Sequence, residues 1–179
     1  MKASPFLAFM PLVAITAPAY AVEYFNVSEA QQALFAEADR FDEHFLQFDD
    51  EQKEAIESLS DVRQRWKKQK VWKAYKGDQV IGWFIIDKVI GKHEFITYAT
   101  ALSVTGEITG IEIMDYRESY GDQVRMAPWR AQFNGKNDIN QVRFNDNIAN
   151  ISGATLSCRN VTNGVKRMLA IHSLSLKTS

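Results

Sequence analysis

A run of small and hydroxyl-bearing residues, Ser152-Gly153-Ala154-Thr155-Leu156-Ser157, stands directly before a segment whose apolar residues recur at helical spacing. The first N–H groups of a helix lack intrahelical partners and the helix dipole is positive there, so such a turn attracts phosphate. The small side chains at 153 and 154 let a ligand approach the backbone. The same run also suits a simpler role, in which Thr155 or Ser157 only caps the helix.

The same run resembles the S-G-A-T-x-S/T motif of the FMN-binding domain family, which includes the flavin subunits of sodium-pumping quinone reductases and related electron-transport complexes. In that family a flavin transferase takes FMN from FAD and esterifies the FMN phosphate to the final threonine of the motif. The resemblance implies that Thr155 carries FMN as a phosphoester. It also implies further cofactor-binding positions in the motif: Ser152, Gly153, Ala154, Leu156 and Ser157.

Other segments extend the resemblance over residues 70–170, in particular residues 90–98, 116–118, 121 and 129–136. Glu118 resembles the glutamate of the family's R-E loop, which implies that it lines the flavin pocket or positions a partner. As a solvated loop acid it would need no further explanation. Trp129 and Tyr120 are candidates for stacking on the flavin ring, with core packing as the alternative.

The chain departs from the family motif at one position. The family has an aspartate three residues before the motif serine, and this chain has Ala149 there, with Asp146 as the nearest acid. Three alternatives stay open: Asp146 substitutes after a small shift of the loop, the transferase tolerates the change, or FMN is held without a covalent bond.

Other kinds of chemistry lack the residues that they need. Cys158 is the only cysteine, so cysteine-ligated metal sites and paired disulfides are excluded within one chain, and the three histidines have no metal-ligand spacing. Cys158 itself stands where a depressed thiol pKa or plain packing would each fit. Redox chemistry here requires an organic cofactor.

The net charge of the chain is -1, which argues against a nucleic-acid partner. The basic cluster from Arg63 to Lys70 is interpreted as a solvated helix face.

The chain begins like an exported protein. Residues 1–21 combine Lys2, an apolar run and the A-x-A pattern Ala19-Tyr20-Ala21, which predicts a signal peptide that is cleaved before Val22. The alternative is a membrane anchor, although the run is short and contains prolines. We expect a periplasmic protein with no membrane span in its mature chain.

The elements that would position these residues alternate in type along the chain. Two helices are predicted, one capped at Ser28 and ending near Arg40, and one capped by Asp49 or Asp50 and running to Ser60. Four strands follow at about residues 71–75, 80–89, 93–104 and 108–114, then a short helix at 128–133 and a final helix at 157–172.

The predicted fold class is α+β, an antiparallel β-meander sheet flanked by helices, with the C-terminal helix following the S-G-A-T turn. We predict an N-terminal helical segment at residues 22–70, packed as one globular unit with an FMN-binding domain at residues 71–179.

The function predicted from these features is that of an extracytoplasmic FMN-carrying electron-transfer protein. Its expected partners are a flavin transferase for maturation and a membrane or periplasmic redox protein. The alternative is a secreted module that binds FMN or another phosphorylated ligand without a covalent bond, in a sensing or partner-binding role. An enzyme that reduces a small molecule with the flavin is the third alternative. It ranks behind the electron carrier, because the sequence contains no dinucleotide fingerprint and no obvious acid/base pair.

Overall fold

Four long antiparallel strands form the centre of the molecule, and each strand pairs with the next along the chain. The structure, a computed structural model, describes residues 22–177; the predicted signal peptide at residues 1–21 lies outside the described residues. The four strands confirm the predicted meander and extend it by a few residues at several ends. Their bounds are Lys68–Lys76 (β4), Gln79–Ile90 (β5), Phe95–Ser103 (β6) and Ile108–Tyr116 (β7).

Three short strands complete the sheet. They are Val22–Glu23 (β1), Arg40–Glu43 (β2) and Leu46–Gln47 (β3). The seven-stranded sheet runs β1-β7-β6-β5-β4-β2, and β3 also pairs with β4. The segment 22–70, predicted as helical, therefore also contributes strands. Strands of two to four residues are too short to show an alternating pattern, and their hydrogen-bonding partners lie far away in the sequence.

The first helix (α1) spans Val27–Leu34, so the prediction that it starts at Ser28 and ends near Arg40 is wrong at both ends. Its N-cap is Asn26, whose side chain accepts from the Glu29 backbone while the Glu29 carboxylate accepts from the Asn26 backbone. Phe25 and Ala30 join one hydrophobic cluster, which places them as a hydrophobic staple around the cap. The second helix (α2) spans Asp50–Ser60 with Asp49 as N-cap, as predicted.

The remaining helices follow β7. A short helix (α3) at Ala127–Arg130 continues into a 3-10 turn, which confirms the helix expected near residues 128–133. The long helix (α4) spans Thr155–Ile171, two residues earlier than predicted, and one π-helical turn at His172–Leu176 follows it. Among residues 22–177, no helix is long and apolar enough to cross a membrane.

The sheet separates two hydrophobic cores because successive side chains of a strand point to opposite faces. Trp83 and Ile85 pack with α4 on one face, whereas Phe84 and Ile86 pack with α1 on the other. Gly164 in α4 permits the close approach to the sheet, since a Cβ there would lie 2.2 Å from the Tyr98 hydroxyl.

A buried polar cluster lies under the same contact. The Arg167 guanidinium of α4 pairs with Asp87 of β5, and Tyr98 donates to the same carboxylate at 2.7 Å. Arg167 also donates to the Arg63 carbonyl at 2.8 Å. All three side chains of the cluster are buried, so Arg167 and Asp87 neutralise each other inside the protein.

The basic cluster predicted as a helix face is not helical. Residues 63–67 form a connection without helix or strand after α2, and β4 begins at Lys68. The cluster therefore lies in a loop and at the start of a strand.

Candidate functional site

The turn before α4 leaves the start of that helix without a side-chain cap. Gly153 adopts φ +86°, a left-handed conformation that favours glycine, and the Ala154 N–H donates to the Ile151 carbonyl at 3.0 Å. Ala154 is the N-cap and provides no side-chain hydrogen bond, while Thr155 is the first helical residue. The alternative that Thr155 or Ser157 caps the helix is therefore wrong. The first backbone N–H groups of α4 remain available to an anion.

A cleft of about 480 Å³ opens at this helix start. Its walls bring together most of the predicted site residues, and Glu118 lies across the cleft from the motif. The lining residues are Lys92, His93, Glu118, Ser119, Tyr120, Gly153, Ala154, Thr155, Leu156 and Ser157. Ser152 is the exception, because it lies exposed in the turn and outside the cleft wall. The volume is within the range of small-molecule and cofactor pockets.

Glu118 organises the opposite wall. Its carboxylate accepts from the backbone N–H of His93 and, at 2.9 Å, of Glu94, and so joins the end of β7 to the β5–β6 hairpin loop. Burial raises the pKa of Glu118, but the backbone N–H donors of Glu94, His93 and Lys92 outweigh burial and the pKa lies below its usual value. Glu118 therefore stays ionised and acts as a clasp at neutral pH, rather than as a solvated loop acid.

Gly91 gives Glu118 the space for that clasp. A Cβ at Gly91 would lie 2.5 Å from the Glu118 Oε1 atom. The hairpin loop of residues 91–94 closes tightly, since the Gly91 N–H donates to the Glu94 carbonyl at 2.7 Å. The loop thereby presents Lys92 and His93 to the cleft.

Lys92 and His93 are site residues that the sequence reasoning missed. Both are exposed and line the cleft. A basic pair in a tight loop between two strands was the available signal, but nothing local in the sequence shows that the loop faces α4. A cation here and uncapped amides opposite make a site for an anionic group.

The side chain of Thr155 has one hydrogen-bond partner, Asn150, whose Nδ2 donates to the Thr155 Oγ1 atom at 3.2 Å. Thr155 is half-buried and lines the cleft. Asn150, which the sequence reasoning did not select, donates to the oxygen of this hydroxyl, so that bond does not use the hydroxyl proton.

Ala149 is held in place by its backbone. Its N–H donates to the Gln132 Oε1 atom at 2.8 Å, and its carbonyl accepts from the Trp129 indole at 2.8 Å. Trp129 is 4% exposed and packs on Phe133, so it is a core residue and not a stacking partner for a ligand. Asp146 is exposed in the preceding turn and does not line the cleft.

Apolar surface at the cleft comes from two exposed side chains. Tyr120 is 86% exposed and Leu156 is 41% exposed, and both line the cleft. An exposed ring and an exposed aliphatic side chain suit a planar aromatic ligand. Cys158 does not line the cleft; it is fully buried, and burial raises the pKa of its thiol. The interpretation of Cys158 as a packing residue is therefore the correct one.

The donors of the site fit a phosphorylated organic cofactor. The described residues 22–177 contain no group of three or more His, Cys, Asp or Glu side chains that could hold a metal ion. Uncapped helix amides and a cationic loop suit a phosphate, and the adjoining exposed Tyr120 suits an aromatic ring.

Comparisons with known proteins agree with this geometry. Residues 91–170 match the model of the FMN-binding domain family. The fold is similar to the crystal structure of Shewanella oneidensis NqrC, with a TM-score of 0.57 and 14% sequence identity, over 83% of this chain and 88% of that chain. No curated protein matches the sequence. The chain thus contains a domain of the FMN-binding family at residues 91–170, and FMN is its cofactor.

Proposed function

We propose that this protein is an extracytoplasmic electron carrier whose FMN is bound through a phosphoester to Thr155. The observation that carries the proposal is the position of Thr155: it is the first residue of a helix without a side-chain cap, and it lines the same cleft as Lys92 and His93. The FMN-binding domain and a fold like that of NqrC support an electron-transfer role.

Each part of the cleft has a distinct task in holding the cofactor. The first N–H groups of α4 would donate to phosphate oxygens, and the Lys92 ammonium would balance the phosphate charge from the opposite wall, where the His93 side chain also lies. Tyr120 and Leu156 would contact the flavin ring. Bound FMN supplies the reversible uptake and release of electrons, and the surrounding hydrogen bonds and charges set its potential.

The proposed linkage requires one phosphoryl transfer. The Thr155 Oγ1 atom bonds to the phosphorus of the FMN half of FAD, the P–O bond between the two phosphates breaks, and AMP leaves while the threonine proton is removed. A flavin transferase performs this step. Asn150 supports it, because its hydrogen bond to Oγ1 holds the nucleophile toward the cleft.

The predicted leader at residues 1–21 supports an extracytoplasmic location. A dissociable flavin lost outside the cytoplasm is not readily replaced, whereas an ester-linked one is lost only by hydrolysis. Electrons would then pass to a membrane or periplasmic redox protein.

The linkage is tested by co-expressing the chain with a flavin transferase and recording flavin fluorescence of the denatured protein in a gel. We expect fluorescence in the wild type and in Thr155→Ser, which keeps a hydroxyl, and none in Thr155→Val. Ser152→Ala and Ser157→Ala are the matched controls and should stay fluorescent. Fluorescence that persists in Thr155→Val would place the linkage at another residue.

Ala149 favours a second candidate, a module that holds FMN without a covalent bond. Acid precipitation separates the two candidates, because free FMN stays in the supernatant while ester-linked flavin pellets with the protein. Yellow supernatant and a colourless pellet from transferase-treated protein would establish the second candidate.

A further inference from the structure

A second concave surface lies on the other side of the β5–β6 hairpin from the flavin cleft. This groove, about 340 Å³ in volume, combines exposed apolar side chains with exposed cations. We name it the basic–aromatic patch and define it by six residues: Arg63, Arg65, Trp66, Lys88, Ile90 and Phe95.

The apolar part of the patch is unusually exposed. Trp66, Ile90 and Phe95 are 39%, 41% and 43% exposed, and the Trp66 and Phe95 rings are in contact with their centroids 6.1 Å apart. Aromatic residues and arginine are enriched among the residues that contribute most of the binding energy at protein interfaces.

The charge of the patch has one sign. The groove is lined by four cationic residues and by no aspartate or glutamate. Arg63, Arg65 and Lys88 are exposed, and none of them forms an ion pair with the residues that the structure describes. Arg167 at its floor is already neutralised by Asp87, so the buried pair adds no net charge. The three exposed cations therefore face solvent without a partner.

Acidic residues line two neighbouring grooves. Asp50, Glu54 and Glu57 of α2 line a groove that also contacts Arg63, Arg65 and Trp66. Asp115 lines another groove together with Trp66 and Lys88, and it is paired with Arg117. None of these carboxylates forms an ion pair with an exposed cation of the patch, so those cations stay available to a partner.

The hairpin joins the patch to the flavin cleft. Ile90 and Phe95 form the last pair of the β5–β6 ladder and belong to the patch. The four residues between them form the loop that carries Lys92 and His93 into the cleft wall. A protein seated on the patch would thus lie one short loop away from the cofactor site.

We propose that the basic–aromatic patch is the docking surface for an electron-transfer partner whose contact face is acidic and contains an apolar residue. This inference rests on the proposed electron-carrier function and adds where the partner binds and what its surface must be. The partner's carboxylates pair with Arg63, Arg65 and Lys88, and its apolar residue packs on Trp66 and Phe95. Charge complementarity accelerates the encounter, and the short separation from the cleft serves electron transfer.

An anionic membrane surface is the competing occupant, and the shape of the patch disfavours it. The patch is concave, whereas a bilayer is flat at this scale and would leave the groove unfilled.

The first test measures electron transfer from the reduced holoprotein to small charged oxidants by stopped flow at low ionic strength. The variant is Arg65→Glu/Lys88→Glu, and the control is Lys76→Glu/Lys136→Glu, which makes the same charge change at the end of the sheet opposite the hairpin. We expect the variant to slow oxidation by ferricyanide, an anion, by about tenfold and to accelerate oxidation by hexaammineruthenium, a cation. Equal effects of the variant and the control would overturn the proposal.

The second test measures binding and does not depend on electron transfer. The full mature chain is titrated with a glutamate-rich peptide that contains one phenylalanine, and the Trp66 indole signal is followed by NMR. We expect the peptide to shift this signal in the wild type and the control but at least tenfold more weakly in Arg65→Glu/Lys88→Glu. Absence of any shift, or binding to anionic phosphatidylglycerol vesicles in place of the peptide, would overturn the proposal.

The two tests also separate this inference from the proposed function. If the holoprotein passes electrons to neither oxidant, the carrier function fails, whereas the peptide titration still reports on the patch. If both oxidants react but charge reversal has no effect, the carrier function stands and the docking surface fails.

Discussion

The hydroxyl oxygens of Tyr116 and Ser157 lie 2.9 Å apart and join the end of β7 to the first turn of α4. Tyr116 donates its only proton to the Tyr120 carbonyl at 2.6 Å, so Ser157 is the donor between the two hydroxyls. Tyr116 is 2% exposed, and burial raises the pKa of its hydroxyl. This chain of hydrogen bonds fixes the loop after β7 against the helix start, and so fixes two walls of the cleft relative to each other.

Removing either hydroxyl should weaken this connection. We expect Ser157→Ala to lower the free energy of unfolding by about 0.5–1.5 kcal/mol. Tyr116→Phe should cost more, because it leaves the Tyr120 carbonyl without its donor as well. Urea unfolding of both single variants and the double variant measures the coupling. Strictly additive losses would show that the two hydroxyls do not interact.

Gly121 is the residue that allows the same loop to approach the helix. It adopts φ +94°, and a Cβ there would lie 2.6 Å from the Tyr116 hydroxyl. Gly153 has a similar φ of +86° but open space around it. Both alanine variants should lose about 1–2 kcal/mol from backbone strain, and Gly121→Ala should lose a further 1–3 kcal/mol from the clash. Thermal unfolding without FMN compares them, and equal losses would contradict the steric argument.

The central sheet could be predicted because its four strands are long and joined in sequence. The short edge strands could not, since β2 is four residues long and is stabilised by pairing with Tyr75 and its neighbours in β4. The predicted start of α1 is wrong because Ser28 and Asn26 both fit an N-cap rule. In the structure Asn26 forms the capping box with Glu29, and Phe25 before it packs on the core. Where two local sequence patterns fit equally well, tertiary contacts thus determine which of them forms.

The motif side of the cleft could likewise be predicted, whereas much of the opposite wall could not. Thr155 and its neighbours are adjacent in sequence, and the helix that follows determines where their amides point. Lys92 and His93 reach the cleft only because Glu118 clasps their loop. That clasp joins residues 24 and 25 positions apart, a relationship that no spacing rule contains.

Because Glu118 holds the hairpin loop as a carboxylate, the free energy of unfolding should depend on pH under acidic conditions. Its folded pKa is depressed, so its contribution is present above the unfolded pKa and is lost as the pH falls through the folded value. In Glu118→Gln the amide oxygen can still accept both N–H bonds but carries no charge. We expect the wild type to be the more stable at about pH 7 and the two proteins to converge near pH 3. Urea unfolding across this range checks it, and a constant difference would contradict it.

The buried pair of Arg167 and Asp87 should be costly to break from one side. Arg167→Met leaves the Asp87 carboxylate buried with Tyr98 as its remaining donor, and we expect a loss of about 3–5 kcal/mol. Asp87→Leu/Arg167→Met removes both charges and should be less destabilising than Arg167→Met alone. Denaturant unfolding measures the free energy of unfolding of both variants. A double variant that is less stable than Arg167→Met would contradict the prediction.

Restoring the family's aspartate should accelerate flavin attachment. Ala149 is exposed and its backbone is held by Trp129 and Gln132, so Ala149→Asp adds a carboxylate to the segment before the motif without disturbing the core. We expect flavin loading by the transferase to become faster by roughly tenfold, equivalent to about 1.4 kcal/mol of activation free energy.

Two variants give that measurement its controls. Asn147→Asp adds the same charge to the preceding exposed turn and should leave the loading rate unchanged. Asp146→Asn tests whether the existing acid already substitutes, and we expect the rate to be preserved, because Asp146 lies exposed in the turn three residues before Ala149. A time course of in-gel flavin fluorescence compares the four proteins. A loss of loading in Asp146→Asn, together with no gain in Ala149→Asp, would show that Asp146 serves the transferase after a rearrangement of its turn.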